Sequence, residues 1–509
     1  MKPLPALLVV LLVARLGATP AQCAEVAFTT APIFSDHMVL QRNREVLIWG
    51  RSQPGDEITL EWQGRQTSAT TDADGRWVIT LEPLAATAEP REMIIRSAGA
   101  QTERKIADVV VGDIWFCSGQ SNMHLRMSGV ENAREEIAAA DVPGVRFFSC
   151  EHQFAQQPLE EIDGHWNRVS PATVGECSAV AYYFAKDLER HCGLPIGVVV
   201  SAVGGTRIES WMSREALAAG GDDGALLRTW ADVSAEEFAT IATAYRAYQH
   251  QRDRVHPQAV REAKARGESP PPGPPRPKRR CHDCPTALHN GMIAPLGRLS
   301  IRGVIWYQGE SNSGRPAAYE GLLPALIAEW RRMWGAEMPF LFVQLAPYRD
   351  THPAFREAQH RIWRATPGTA MVVTTDVGDA GTIHPIRKRP VGERLALAAR
   401  ALSYGEDVEY SGPIFNGVRL DGDRAVISFA HVGGGLVSHG DVLTGFTIAG
   451  ADGKFVPARA EIDGATVVVR AEAVPQPAAV RYGWAHVPDG TLFNREGLPA
   501  APFRSDQPQ

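Results

Sequence analysis

A serine stands on a turn where an apolar strand-like run ends: Ile106-Ala107-Asp108-Val109-Val110-Val111 leads into Gly119-Gln120-Ser121-Asn122-Met123. A small hydroxyl lifted onto such a turn can meet a carbonyl unobstructed, which is what a serine nucleophile needs. The same pattern also serves as an ordinary turn in which the serine bonds its own backbone. Two further apolar runs end in polar clusters. They are Val304-Ile305-Trp306-Tyr307-Gln308-Gly309-Glu310-Ser311-Asn312 and Thr374-Thr375-Asp376-Val377-Gly378-Asp379-Ala380-Gly381-Thr382-Ile383-His384-Pro385. A serine, amide side chains and an acid-rich loop with a histidine, all at strand ends, point to one hydrolytic site.

These segments resemble the sialate O-acetylesterase group of the SGNH-type hydrolases, which is recognised by Gly-Gln-Ser-Asn-Met, Gln-Gly-Glu-Ser-Asn and a late Ile-His-Pro. The likeness extends to residues 28–40, 201–212 and 288–296, and to the closing Val480-Arg481-Tyr482-Gly483-Trp484 and Leu498-Pro499-Ala500. It implies a serine esterase that removes O-acetyl groups from carbohydrates through an acetyl-serine intermediate, with no metal and no cofactor. Sialic acid acetates are the substrate the family suggests. Acetylated xylan or xyloglucan presents the same acetyl ester, so only pocket shape separates them. A reading from another class is a glycan-binding protein whose middle domain has lost activity.

The resemblance makes Ser121 the nucleophile and His384 the base, whose imidazole with an ordinary pKa near ~6.5 is available at mild pH. It also implies an aspartate three residues before the histidine, but Gly381 stands there. Asp379 is the nearest acid and is expected to orient the imidazole; Asp376, at the strand end, is the alternative, and a Ser-His dyad is a third arrangement. For the oxyanion hole the expected donors are the N–H groups of Ser121 and of Gly205 in Ser201-Ala202-Val203-Gly204-Gly205-Thr206, with a side-chain amide from Gln308 or Asn312. Glycine permits close backbone approach, and an amide adds a donor without charge. Arg207 and Trp211 are candidates to line the sugar site or simply to pack, and Glu310 to anchor the site from behind or to meet substrate.

Three kinds of element must position these groups. Alternating runs such as Glu57-Ile58-Thr59-Leu60-Glu61-Trp62, separated by turns such as Gln53-Pro54-Gly55-Asp56, indicate an N-terminal antiparallel β-sandwich over residues 25–105. Over residues 106–404 the pattern becomes buried apolar strands separated by helical stretches, the mark of a parallel sheet covered by helices. The expected fold is therefore α/β, an SGNH-hydrolase-like three-layer domain flanked by antiparallel β-sandwich segments. A helix-rich and then proline-rich insertion occupies residues 213–285, and Pro270-Pro271-Pro272-Gly273-Pro274-Pro275 predicts an exposed loop or flap. Short strands return over residues 405–509.

The chain has 509 residues, a formal net charge of -6 and seven cysteines. The charge argues against nucleic-acid binding, which needs a basic surface. Residues 1–24, with Lys2, an apolar stretch over 4–16 and the small residues Ala18, Ala21 and Ala24, read as a secretory signal peptide. No later stretch suggests a membrane span. In an exported chain the six cysteines after Cys23 could pair. Cys281-His282-Asp283-Cys284 has half of a zinc-site spacing with no second half, which favours a surface-loop disulfide or free thiols over a metal. Neither a phosphate-binding glycine loop nor a His-Glu-x-x-His pair is present.

Overall fold

A computed structural model describes residues 27–221 and 224–506; the expected signal segment and Cys23 lie outside the described residues. The organising element is the 18-residue strand Thr102–Gly119. Its first half pairs antiparallel with Thr87–Ser97 in the N-terminal β-region, and its second half lies parallel between Ile196–Ala202 and Gly303–Tyr307. The boundary expected at residues 105/106 thus falls inside a continuous strand. One hydrophobic core joins the N-terminal strands to the central domain.

Along the central sheet the order is Gly164–Val169, Val142–Cys150, Ile196–Ala202, Thr102–Gly119, Gly303–Tyr307, Phe340–Val343, Thr369–Val372. All neighbours are parallel except the edge strand Gly164–Val169. Successive side chains of a strand point to opposite faces. Trp115 accordingly packs edge-on to Phe184 of the helix Ala179–Cys192, while Phe116 meets Trp330 of the helix Pro316–Trp334 on the other face. Helices on both faces complete the three layers that the strand-helix alternation implied. The helix Ala179–Cys192 starts where Ser178 accepts the Ala181 N–H and stops at Gly193 with φ 61°.

From the strand Thr102–Gly119 the chain moves first to one side of the sheet and later to the other. That makes its carboxyl end a topological switch point, the place where open α/β sheets bind ligands. Beyond residue 405 two four-stranded antiparallel sheets enclose a separate core that includes Ile427, Val467, Ile448 and Val480. This region is tied to the helix Pro353–Ala365 by buried Arg356, which donates to the carbonyls of Ala485 and His486, and by the Arg504–Glu357 pair. Among the described residues no helix is long and apolar enough to cross a membrane.

Candidate active site

The nucleophile turn is built on close strand contact. Gly119 has φ 134°, and a Cβ there would lie 2.1 Å from the Tyr307 carbonyl oxygen, so a larger residue would force the two strands apart. Gln120 N–H donates to that same carbonyl at 2.9 Å. The chain then folds into the short helix Ser121–His124, whose first N–H groups have no carbonyl partner within the helix. Ser121 Oγ lies 2.8 Å from His384 Nε2. The structure therefore brings together two residues 263 positions apart.

A neutral imidazole protonated at Nδ1 presents Nε2 as acceptor for the Ser121 hydroxyl. That state is favoured, because partial burial in its loop lowers the His384 pKa, reinforced by the positive charges of Lys388 and Arg252. The loop is held from beneath by Asn122. Its amide donates to the Ile383 carbonyl at 3.0 Å and to Glu310 Oε1, and its Oδ1 accepts from Lys388 Nζ at 2.6 Å. Lys388 is 1% exposed and lies over the Tyr307 ring. Burial brings its pKa down to about 7 against the opposing pull of Glu310, while burial raises the Glu310 carboxyl.

The expected pairing of Asp379 with His384 is not formed. Asp379 Oδ1 accepts the Gly381 N–H at 2.7 Å, closing its own loop, and the Asp379 N–H donates to the Pro347 carbonyl. Asp376 is held at both oxygens by Arg394, at 2.7 and 2.6 Å. Among the described residues, the His384 ring hydrogen-bonds to Ser121 and to neither of these acids.

Gly205 has φ 76°, a left-handed conformation that suits glycine, and Gly204 packs on Ser121 so closely that an added Cβ would sit 3.3 Å from the Ser121 Cβ. Among the described residues neither the Ser121 nor the Gly205 N–H donates to a backbone carbonyl. Of the two amide candidates, Gln308 is fully buried with Nε2 committed to Thr206 O at 3.1 Å and Asn312 Oδ1 at 2.8 Å. It shapes the turn and has no hydrogen to spare. Asn312 Nδ2 donates once, to Glu209 Oε2 at 2.9 Å, leaving its second hydrogen available.

Two of the three candidate substrate residues take the other role open to them. Trp211 is wholly buried, donates to Thr206 Oγ1 at 3.0 Å and packs edge-on to Trp306, so it belongs to the core. Glu310 is turned to Asn122 and works behind the nucleophile. Arg207 is exposed beside Gly205 and its guanidinium makes no hydrogen bond or ion pair among the described residues. The Cys281-His282-Asp283-Cys284 segment is also not the expected surface loop. Cys281, His282 and Cys284 are buried, and Ser210 Oγ bonds the carbonyls of His282 and Cys284. All six described cysteines carry free thiols. No group of three or more His, Cys, Asp or Glu able to hold a metal occurs among the described residues.

Sequence reasoning missed Gln120, whose Oε1 accepts the Ser311 N–H at 3.3 Å and joins two strand ends, and Lys388. Gln120 lay inside the nucleophile motif and could have been read as a linker. Lys388 stands in Arg387-Lys388-Arg389, which reads as a solvated basic run, and nothing in the sequence distinguishes its middle member.

Comparison with known proteins gives consistent matches. The family model of carbohydrate esterases described as sialic acid-specific acetylesterases matches residues 111–223 and 286–400. The sialate O-acetylesterase of Mus musculus is 30% identical over 467 residues, 83% of this chain and 82% of that protein. The Homo sapiens sialate O-acetylesterase is 28% identical over 80% of this chain and 77% of its own length. The crystal structure of a carbohydrate acetylesterase from Xanthomonas citri superposes with a TM-score of 0.79 at 35% identity, covering 94% of this chain and 99% of that one.

Proposed function

This chain belongs to the sialic acid-specific acetylesterase family of carbohydrate esterases, and from that premise we propose that it removes O-acetyl groups from glycans through an acetyl-Ser121 intermediate. The observation that carries the reading is the 2.8 Å Ser121–His384 hydrogen bond at the switch point of the sheet. Ser121 Oγ attacks the acetyl carbonyl as His384 Nε2 takes its proton. The oxyanion is received by the N–H groups of Ser121 and Gly205 and the free amide hydrogen of Asn312. Collapse breaks the bond to the sugar oxygen, which leaves with the proton from His384. Water, deprotonated by the same imidazole, then releases acetate and restores Ser121.

No carboxylate enters this scheme. Asn122 substitutes for part of a triad acid's work by fixing the carbonyl next to His384, although it cannot neutralise the imidazolium that forms. Arg207, open beside the oxyanion turn, is the group placed to meet the sugar. The same acetyl ester occurs on sialic acids and on plant polysaccharides such as xylan or xyloglucan, so the choice between them falls to the walls around Ser121.

A serine-directed fluorophosphonate tests the nucleophile. Ser121 should be labelled in the wild-type protein and no label should enter Ser121→Ala. Acetate release from an activated aryl acetate should fall by about 10⁴-fold or more in that variant. Normal turnover by folded Ser121→Ala protein removes Ser121 from the role.

A further inference from the structure

A cavity of about 270 Å³ opens beside the nucleophile helix. One wall is His124, the last residue of that helix, and Ala202, which pairs in register with Gly119 two residues before Ser121. The opposite wall is the helix Ala235–His250 and the turn after it. Phe238, Ala242, Tyr245 and Gln249 form its buried stripe, at helical spacing. Arg246, Gln249, His250 and Asp253, also at i, i+3, i+4 and i+7, line the cavity. Tyr245 meets the buried His282 ring at 4.5 Å, and Ser210 Oγ bonds the His282 carbonyl. The wall is therefore braced against the same segment that underlies the oxyanion turn.

Two features show groups in this cavity that the protein itself leaves unused. Gln249 is 6% exposed; one end of its amide contacts His152 Nδ1 at 3.4 Å and the other has no protein partner among the described residues. A buried amide atom left unpaired is costly unless a ligand or water meets it. Arg246 makes one side-chain hydrogen bond, a 3.5 Å approach to Thr243 Oγ1, and no ion pair among the described residues. Together with the Glu151 carboxylate, and with Asp253, whose two oxygens each already accept one hydrogen bond from Arg252, they give the cavity donors and acceptors side by side. That mixture suits a polyhydroxylated ring, whose hydroxyls donate and accept, better than an apolar acyl chain. The space is adequate for a single sugar ring. The helix Ala235–His250 also lies between the two stretches matched by the family model, so this wall is where the chain's own selectivity is expected.

We propose that this cavity is a subsite for the sugar unit adjoining the acetylated one, with Arg246 and Gln249 as its specificity-determining contacts. The proposal rests on the esterase reading of Ser121 and His384. It makes the enzyme one that prefers acetyl groups on oligosaccharides over the same acetyl group on a single sugar.

The test compares mono-O-acetylated xylobiose with the mono-O-acetylated methyl xyloside, measured in the same preparation so that any misfolded fraction cancels in the ratio. In the wild type kcat/KM should favour the disaccharide by about tenfold or more, through KM. Arg246→Ala and Gln249→Ala should bring that ratio to about 1. A wild-type ratio near 1, or a preference unchanged in both variants, overturns the subsite. If the wild type cleaves 4-nitrophenyl acetate while showing such a ratio, only the subsite falls; if it cleaves none of the three esters, the esterase reading falls with it.

Discussion

Lys388 donates a 2.6 Å hydrogen bond to the Oδ1 of Asn122, the residue that follows Ser121, and does so from a position 1% exposed. The same Asn122 holds the carbonyl of Ile383, the residue before His384. A single amide thus joins the nucleophile turn to the histidine loop, and a buried lysine with Glu310 behind it fixes the orientation of that amide. Charge burial is costly, which is why the ammonium gives up its proton more easily here than in water.

This arrangement predicts a pH-dependent stability. Lys388 titrates at about 7 when folded, well below the value near ~10.4 of a solvated lysine. Between those values the unfolded chain binds a proton that the folded one does not, so Lys388 makes stability rise with pH across that window and contributes no slope below it. Thermal melts of wild type and Lys388→Met should therefore diverge, with the wild type gaining Tm relative to the variant between pH 7 and 10 on the scale of that shift. Parallel curves would show that the lysine is not held neutral.

The same lysine bears on catalysis. Below about pH 7 Lys388 is charged and, after burial, is the larger of the two positive charges that depress the His384 pKa. The acid limb of the kcat/KM profile should lie below the ordinary histidine value near ~6.5, and in Lys388→Met it should move toward higher pH. A limb that stays in place separates Lys388 from His384 electrostatically.

Asn122→Ala removes the tie between the two loops while leaving both reacting groups in place. Misplacing a catalytic group by about 1 Å can cost on the order of 100-fold, so kcat should fall by about that factor with KM little changed. Asn122→Asp, which keeps the shape but loses the donors to Ile383 and Glu310, should not restore it. A loss confined to KM would mean that Asn122 contacts substrate rather than positioning His384.

The parts of this molecule that were legible in the sequence are those carried by local pattern. The apolar runs at 106–111, 196–201 and 304–307 and the helical stretches between them specify a parallel layered sheet, and the strand-end rule then places Ser121, Gly205 and the 308–312 turn at one site. What was not legible depends on which atom faces which. Trp211 beside an oxyanion turn looks like a sugar platform until its indole N–H is seen to satisfy Thr206 inside the core. Gln308 looks like an oxyanion donor until both amide hydrogens are found committed. Spacing from His384 brings Asp379 close along the chain, but the loop curls so that this carboxylate meets the Gly381 N–H.

That last relationship gives the decisive experiment on the acid. If His384 works without a carboxylate partner, Asp379→Asn should leave kcat within about tenfold of wild type, against the ~10⁴-fold loss that follows when a true triad aspartate is replaced. Asp376→Asn is the necessary companion, because its carboxylate grips Arg394 at both oxygens and Arg394 in turn donates to the Val373 carbonyl at the end of the strand Thr369–Val372. Breaking that charged pair should cost about 2 kcal/mol of stability. It should lower Tm more than it lowers kcat measured on folded protein. A large kcat loss at Asp379 alone would mean that the loop rearranges in the substrate complex to complete a triad. A large loss at Asp376 with normal stability would move the acid there. Near-normal rates in both, with the Asn122→Ala defect intact, identify the catalytic unit as Ser121 and His384 held by Asn122.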